Sequence, residues 1–188
     1  MDFPLHTTET APEDARETLA EVEAEFGMIP NLERTMATAP ALLQAYASAW
    51  GLFEETSLTP IERQVVYQTA NFENECDYCV PWHTLLSQKA GMAEADVDAL
   101  RAGASLSDPR LEALRIFTQT VVRTRGNIAE ADRDAFFAAG WAPQQALEVV
   151  LGIAIKTMSN YTNSIAGTPL DRAVQTHAWQ KPVIKPRR

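Results

Sequence analysis

Leu58-Thr59-Pro60-Ile61-Glu62-Arg63-Gln64 reads as the opening of a helix. Thr59 stands three residues before Glu62, the spacing of a capping box in which each side chain satisfies a backbone N–H of the first turn. Pro60 falls on the first helical position, where its missing N–H costs nothing and its fixed φ helps. The same punctuation recurs outward in both directions. Thr10-Ala11-Pro12-Glu13 repeats the capping-box pattern, and Asp108-Pro109 and Thr168-Pro169 each place a proline behind a capping residue. Gly91, Gly103, Gly126, Gly140 and Gly167 each follow a periodic stretch, as a left-handed helix stop would.

Between these marks the apolar spacing is helical: Ala15, Leu19, Val22 and Phe26; Leu43, Tyr46, Trp50 and Phe53; Leu147, Val150, Leu151, Ala154, Met158 and Tyr161. No stretch alternates with period two between turn dipeptides. The sequence predicts an all-α chain of about eight helices, near 11–26, 40–56, 60–73, 77–90, 93–102, 109–125, 129–139 and 143–166, with a short one after Pro169. The helix at 143–166 is apolar around much of its circumference, which places it at the centre of the fold or in a subunit contact. Trp50, Phe53 and Trp141 are available for such a contact where one core does not absorb them.

The 188 residues are 46% apolar and carry 16 basic against 25 acidic side chains, a net charge of −9 that disfavours nucleic acid and anionic membrane surfaces. Residues 1–33 hold nine acids against Arg16 alone, and the basic tail 176–188, with Lys181, Lys185, Arg187 and Arg188, is expected either to lie against that acidic head or to fray in solvent. The N-terminus shows neither a basic nor an apolar leader region, and the longest apolar-plus-glycine run, Val149 to Ile155, is far below the ~20 residues of a membrane span. The expectation is a cytoplasmic protein. A permanent disulfide between its two cysteines is not expected in that compartment.

Cys76-Asp77-Tyr78-Cys79-Val80-Pro81-Trp82-His83 is the one dense cluster of reactive side chains. On a helix, Cys76 and Cys79 are i,i+3 neighbours and Cys79 and His83 are i,i+4 neighbours, so both sulfurs and the imidazole share a face. Pro81 must lie in the first turn, and Asp77 is the expected N-cap. Cys79 then sits among unpaired N–H groups at the positive helix end, where a thiol falls from about 8.5 toward neutrality. His83 is placed to move protons, and a CxxC pair closes a disulfide after one sulfur is oxidised, with no cofactor required. Two other readings stand beside this one: inert core cysteines, or three of the ligands of a metal site at Cys76, Cys79 and His83. His6 and His177 read as solvated bystanders.

The block 58–64, with Asn71 through His83, resembles the alkylhydroperoxidase D-like (carboxymuconolactone decarboxylase-like) family. Arg123-Thr124-Arg125-Gly126, Phe136, Gly140, Val149, Gly152, Asn160 to Asn163 and Thr168 to Asp171 resemble the C-terminal half of its longer members. The similarity spans about residues 28–175 of a chain read as one domain, with an acidic N-terminal helix at 11–26. It implies an all-helical fold assembling as dimers, trimers or hexamers, and a thiol peroxidase activity on a hydroperoxide or small disulfide with a thiol reductant as partner. It also implies that Cys79 reacts, Cys76 resolves and His83 relays protons. The family's relay glutamate falls on Gln64, which cannot shuttle a proton. Glu62 has its capping role, which leaves Glu73 and Glu75 as possible substitutes. A non-catalytic redox sensor is the alternative in another class. Decarboxylation of a carboxymuconolactone ranks below both, because members with that activity usually lack the CxxC pair.

Overall fold

A computed structural model describes residues 3–182. Nine α-helices follow one another: α1 Glu13–Phe26, α2 Asn31–Met36, α3 Pro40–Glu54, α4 Pro60–Glu73, α5 Cys79–Lys89, α6 Glu94–Ala102, α7 Pro109–Thr124, α8 Glu130–Ala138 and α9 Pro143–Ala166. A 3-10 turn, Arg172–His177, closes the described chain, and no strand occurs among the described residues. Eight of the helices are those the punctuation predicts. The six-residue α2 is not, because a helix this short has no periodicity to show.

The capping box at α4 is formed, with Thr59 N–H donating to Glu62 Oε2 at 2.8 Å and Glu62 N–H to Thr59 Oγ1 at 3.3 Å. Asp108 likewise caps α7 through the N–H groups of Arg110 and Leu111. The box expected at Thr10 does not form. α1 begins after Pro12 without a side-chain cap, and Thr10 instead accepts the Thr7 N–H at 2.9 Å in a preceding turn. The short helix expected after Pro169 is the 3-10 turn Arg172–His177, but Thr168 does not cap it: its hydroxyl has no partner among the described residues, and the turn begins after Asp171, which contacts α2 and α5. All five predicted stop glycines have positive φ.

The centre belongs to α4 rather than to the helix at 143–166. Every residue of α4 from Glu62 to Phe72 is buried, and the helix packs against α3, α5, α6, α7 and α9. α9 lies beside it with its polar residues turned inward: Lys156, Ser159, Asn160 and Asn163 are buried, while Leu147, Val150, Tyr161 and Ile165 are exposed. Phe53 and Trp141 are absorbed into the core, and Trp50 packs against it. Lys181 pairs with Glu75, not with the acidic head; Lys185, Arg187 and Arg188 lie outside the described residues.

Candidate active site

The two cysteines stand where the chain turns into α5. The cap differs from the expected one: Asp77 is exposed, and the Cys79 N–H donates to Cys76 Sγ at 3.2 Å, so a sulfur takes the capping place. Cys79 is the first helical residue and Pro81 the third, which keeps the proline within the harmless first turn. Both sulfurs are buried and free. Of the two, Cys79 alone reaches a cavity of about 590 Å³, counted to its mouth, whose walls include Phe26, Tyr46, Trp50 and Trp82 and whose charged or titratable groups include Glu25, Glu33, His83 and Lys156.

Helix α9 supplies the surroundings of the sulfurs. Lys156, Ser159, Asn160 and Asn163 stand at i, i+3, i+4 and i+7, one face of a helix. Asn163 Nδ2 donates to Cys79 Sγ at 3.3 Å and lies 3.8 Å from Cys76 Sγ. Burial works against a Cys79 thiolate, yet the neighbouring Cys76 thiol, the Lys156 ammonium and the Ser159 and Asn160 side chains together bring it down to about 6. Cys76 moves the other way, held protonated by its hydrogen bond with Cys79 and by burial. The tuning therefore comes mainly from side chains, those of α9 and the Cys76 thiol, whereas the helix-end amide goes to Cys76.

His83 does not reach a sulfur. Its Nδ1 lies 2.8 Å from Gln64 Oε1 and its Nε2 lies 2.9 Å from Lys156 Nζ. An amide oxygen only accepts, so Nδ1 carries the proton and Nε2 accepts from the ammonium. Burial first, and the Lys156 charge second, push the imidazole well below its ordinary range, so the ring is neutral. With both nitrogens engaged, Cys76, Cys79 and His83 do not form a metal-ligand set, and no cluster of three metal-ligating side chains occurs among the described residues.

Glu73 and Glu75 are not at the site. Glu73 is held by Arg123 at 2.7 Å and Gln119 at 2.7 Å, and Glu75 by Lys181 at 3.1 Å. Two carboxyls line the cavity, the exposed Glu25 of α1 and the buried Glu33 on α2, the helix without a sequence signature. Glu33 is 7% exposed, and its Oε2 has no hydrogen-bond partner among the described residues. Burial, with the charge of Asp171 nearby, raises Glu33 to about 8 against a backbone hydrogen bond and the Lys156 charge, so it is protonated at neutrality. Asp171 fixes this corner. Its carboxylate accepts from Tyr78 Oη, from Trp82 Nε1 at 3.0 Å and from the Asn31 N–H at 3.1 Å, while Tyr78 Oη accepts the Leu32 N–H at 3.0 Å. Tyr78, between the two cysteines, thereby ties α2 to α5. A sequence signal did exist for α9: four polar residues on one face of an otherwise apolar helix. For Glu33 there was none beyond an acid among eight others in the head.

The all-helical fold with a CxxC pair at a helix start is similar to that of alkylhydroperoxidase D/carboxymuconolactone decarboxylase-like proteins. Residues 40–119 match the carboxymuconolactone decarboxylase family. Among solved structures, the alkylhydroperoxidase AhpD core of a peroxidase-related protein from Ralstonia eutropha JMP134 superposes with a TM-score of 0.80 at 22% identity, over 92% of this chain and 93% of that one. A peroxidase-related protein from Silicibacter sp. TM1040 gives 0.77 at 20% identity, over 93% and 92%. The debrominase Bmp8, as a cysteine-to-alanine variant in complex with 2,3,4-tribromopyrrole, gives 0.74 at 15% identity over 94% of each chain. No curated protein matches in sequence.

Proposed function

We propose that the chain is a thiol-dependent oxidoreductase that reduces an apolar hydroperoxide at Cys79, with Cys76 resolving the oxidised sulfur. The observation that carries this reading is the asymmetry of the pair: Cys79 faces the cavity and favours the thiolate, while Cys76 lies behind it and keeps its proton. The Cys79 thiolate attacks the terminal peroxide oxygen; an S–O bond forms, the O–O bond breaks, and the departing alkoxide takes the Glu33 proton to leave as an alcohol. Cys76 then attacks the sulfenic sulfur. Its thiol proton passes to the Glu33 carboxylate and on to the departing hydroxide, giving water and a disulfide. A thiol reductant restores both sulfurs, and solvent restores the Glu33 proton. The aromatic and aliphatic walls suit an apolar body on the peroxide.

Gln64 and His83 take positioning roles in this scheme, and the relay carboxyl comes from α2. The protein acts as a homo-oligomer, with the exposed apolar side of α9 as the surface that self-association would cover. Steady-state peroxide consumption with dithiothreitol tests the reading. Continuous turnover that Cys79→Ser abolishes is expected. A single oxidation of the dithiol that then stops would identify a sensor instead.

A further inference from the structure

Lys156 is 1% exposed, yet no carboxylate pairs with it among the described residues, and the only hydrogen bond of its side chain is the one to His83 Nε2. A buried ammonium without a counter-ion is expensive, and cations are rarely left so without a use. One N–H goes to the imidazole; the remaining donors have no oxygen or nitrogen acceptor, and the residue lines the cavity beside Cys79 and Glu33. The aromatic faces of Tyr67 and Trp50, with centroids 5.1 and 6.0 Å away, soften the burial without supplying an acceptor.

We propose that Lys156 is a catalytic residue of this pocket, an oxyanion-binding group that holds the negative charge developing on the oxygen expelled by Cys79. The assignment rests on the thiol-oxidoreductase reading above and adds the group that stabilises its transition state. His83 is then a positioning residue for Lys156. The Gln64 oxygen fixes the ring in the tautomer whose free nitrogen accepts from the ammonium. A carboxylate at position 64 favours an imidazolium, which has no lone pair for Lys156 to use. The amide at position 64 is therefore a requirement of the lysine rather than a lost relay. As the S–O bond forms and the O–O bond breaks, charge moves from sulfur to the outgoing oxygen. The Lys156 side chain lies beside the site of that charge, and Glu33 delivers the proton that completes the alcohol.

The test is single-turnover loss of free thiols in the full chain, with tert-butyl hydroperoxide, whose leaving group is a strongly basic alkoxide, and with peracetic acid, whose leaving group is a weakly basic carboxylate. Rates are divided by the Cys79 thiolate fraction taken from an alkylation titration of each variant. Lys156→Met is expected to slow tert-butyl hydroperoxide on the order of 100-fold and peracetic acid on the order of 10-fold or less. Equal loss on both overturns the assignment. Gln64→Glu gives an independent reading where the first variant fails to fold: a slower reaction with tert-butyl hydroperoxide supports the role of the imidazole as an acceptor, and a faster one restores a glutamate–histidine relay and overturns it. Wild-type protein that loses no thiol to either peroxide rejects the thiol-oxidoreductase reading itself, an outcome distinct from both.

Discussion

At the scale of single residues, the site is a set of groups pushed apart in proton affinity by their surroundings. Cys79 brought down to about 6 and Glu33 raised to about 8 bracket neutrality, so the proposed nucleophile is ionised and the proposed acid protonated only between them. The kcat/KM for a hydroperoxide is expected to rise through pH ~6 and fall through pH ~8, with Glu33→Gln lowering its maximum about 100-fold. A profile flat from pH 5 to 9 would contradict both assignments.

The Glu33 carboxyl also reports on stability. A carboxyl whose folded value is raised from 4.5 to about 8 contributes fully below 4.5, and that contribution is lost as the pH climbs through 8. Glu33→Gln escapes the loss. Urea denaturation is expected to show the variant gaining on the wild type between pH 4.5 and 8.5, by on the order of 4 kcal/mol. The proposed role predicts that the same substitution lowers activity, the trade-off expected of an acid kept for chemistry rather than for folding.

At the scale of elements, each helix is decided by a few contacts. α4 and α7 are written plainly, because a Thr or Asp followed by Pro has one good use at a helix start. The same letters at Thr10 and Thr168 do not cap: Thr10 is captured by a local turn, and the Thr168 hydroxyl is buried without a partner among the described residues, which spacing alone does not show. Asp77 failed as a cap because the Cys76 sulfur reached the Cys79 N–H instead. Two helical glycines separate propensity from packing. A Cβ on Gly152 would lie 2.7 Å from Val66 Cγ1 and 2.8 Å from Phe53 Cζ, where α9 meets α4 and α3, whereas one on Gly51 meets nothing within 4 Å. Gly152→Ala is expected to destabilise by ~1–3 kcal/mol. Gly51→Ala, gaining helix propensity in open space, is expected to stabilise by ~0.5–1 kcal/mol. Thermal melts of the two variants would shift in opposite directions.

At the scale of the whole molecule, the fold class and the location of the reactive pair were legible because helix caps and the CxxC-x3-H spacing are local signals. Three things were not. Glu33 lies 43 positions before Cys76 on a six-residue helix, and only tertiary packing brings it to the cavity. The pairing of His83 with Gln64 was suggested by resemblance, but the other ring nitrogen's partner, Lys156, lies 73 residues away. The central helix was misplaced because α9 buries Lys156, Ser159, Asn160 and Asn163 beside Val149 and Ile155 and leaves Leu147, Val150, Tyr161 and Ile165 exposed, so high apolar content did not mean burial all round. That reversal has a consequence for assembly. Replacing Leu147 and Ile165, each 73% exposed, by glutamate is expected to convert an oligomer to a species sedimenting near 20.8 kDa. A wild-type chain already sedimenting at that mass would contradict self-association through α9.

The central claim is that Cys79 is ionised at neutral pH inside a cavity that substrate can enter. It is tested most directly by iodoacetamide labelling as a function of pH, with each cysteine quantified by mass spectrometry. Labelling confined to Cys79 with a midpoint near pH 6 is the predicted result; a midpoint at or above about 8.5, or Cys76 labelled first, would contradict it.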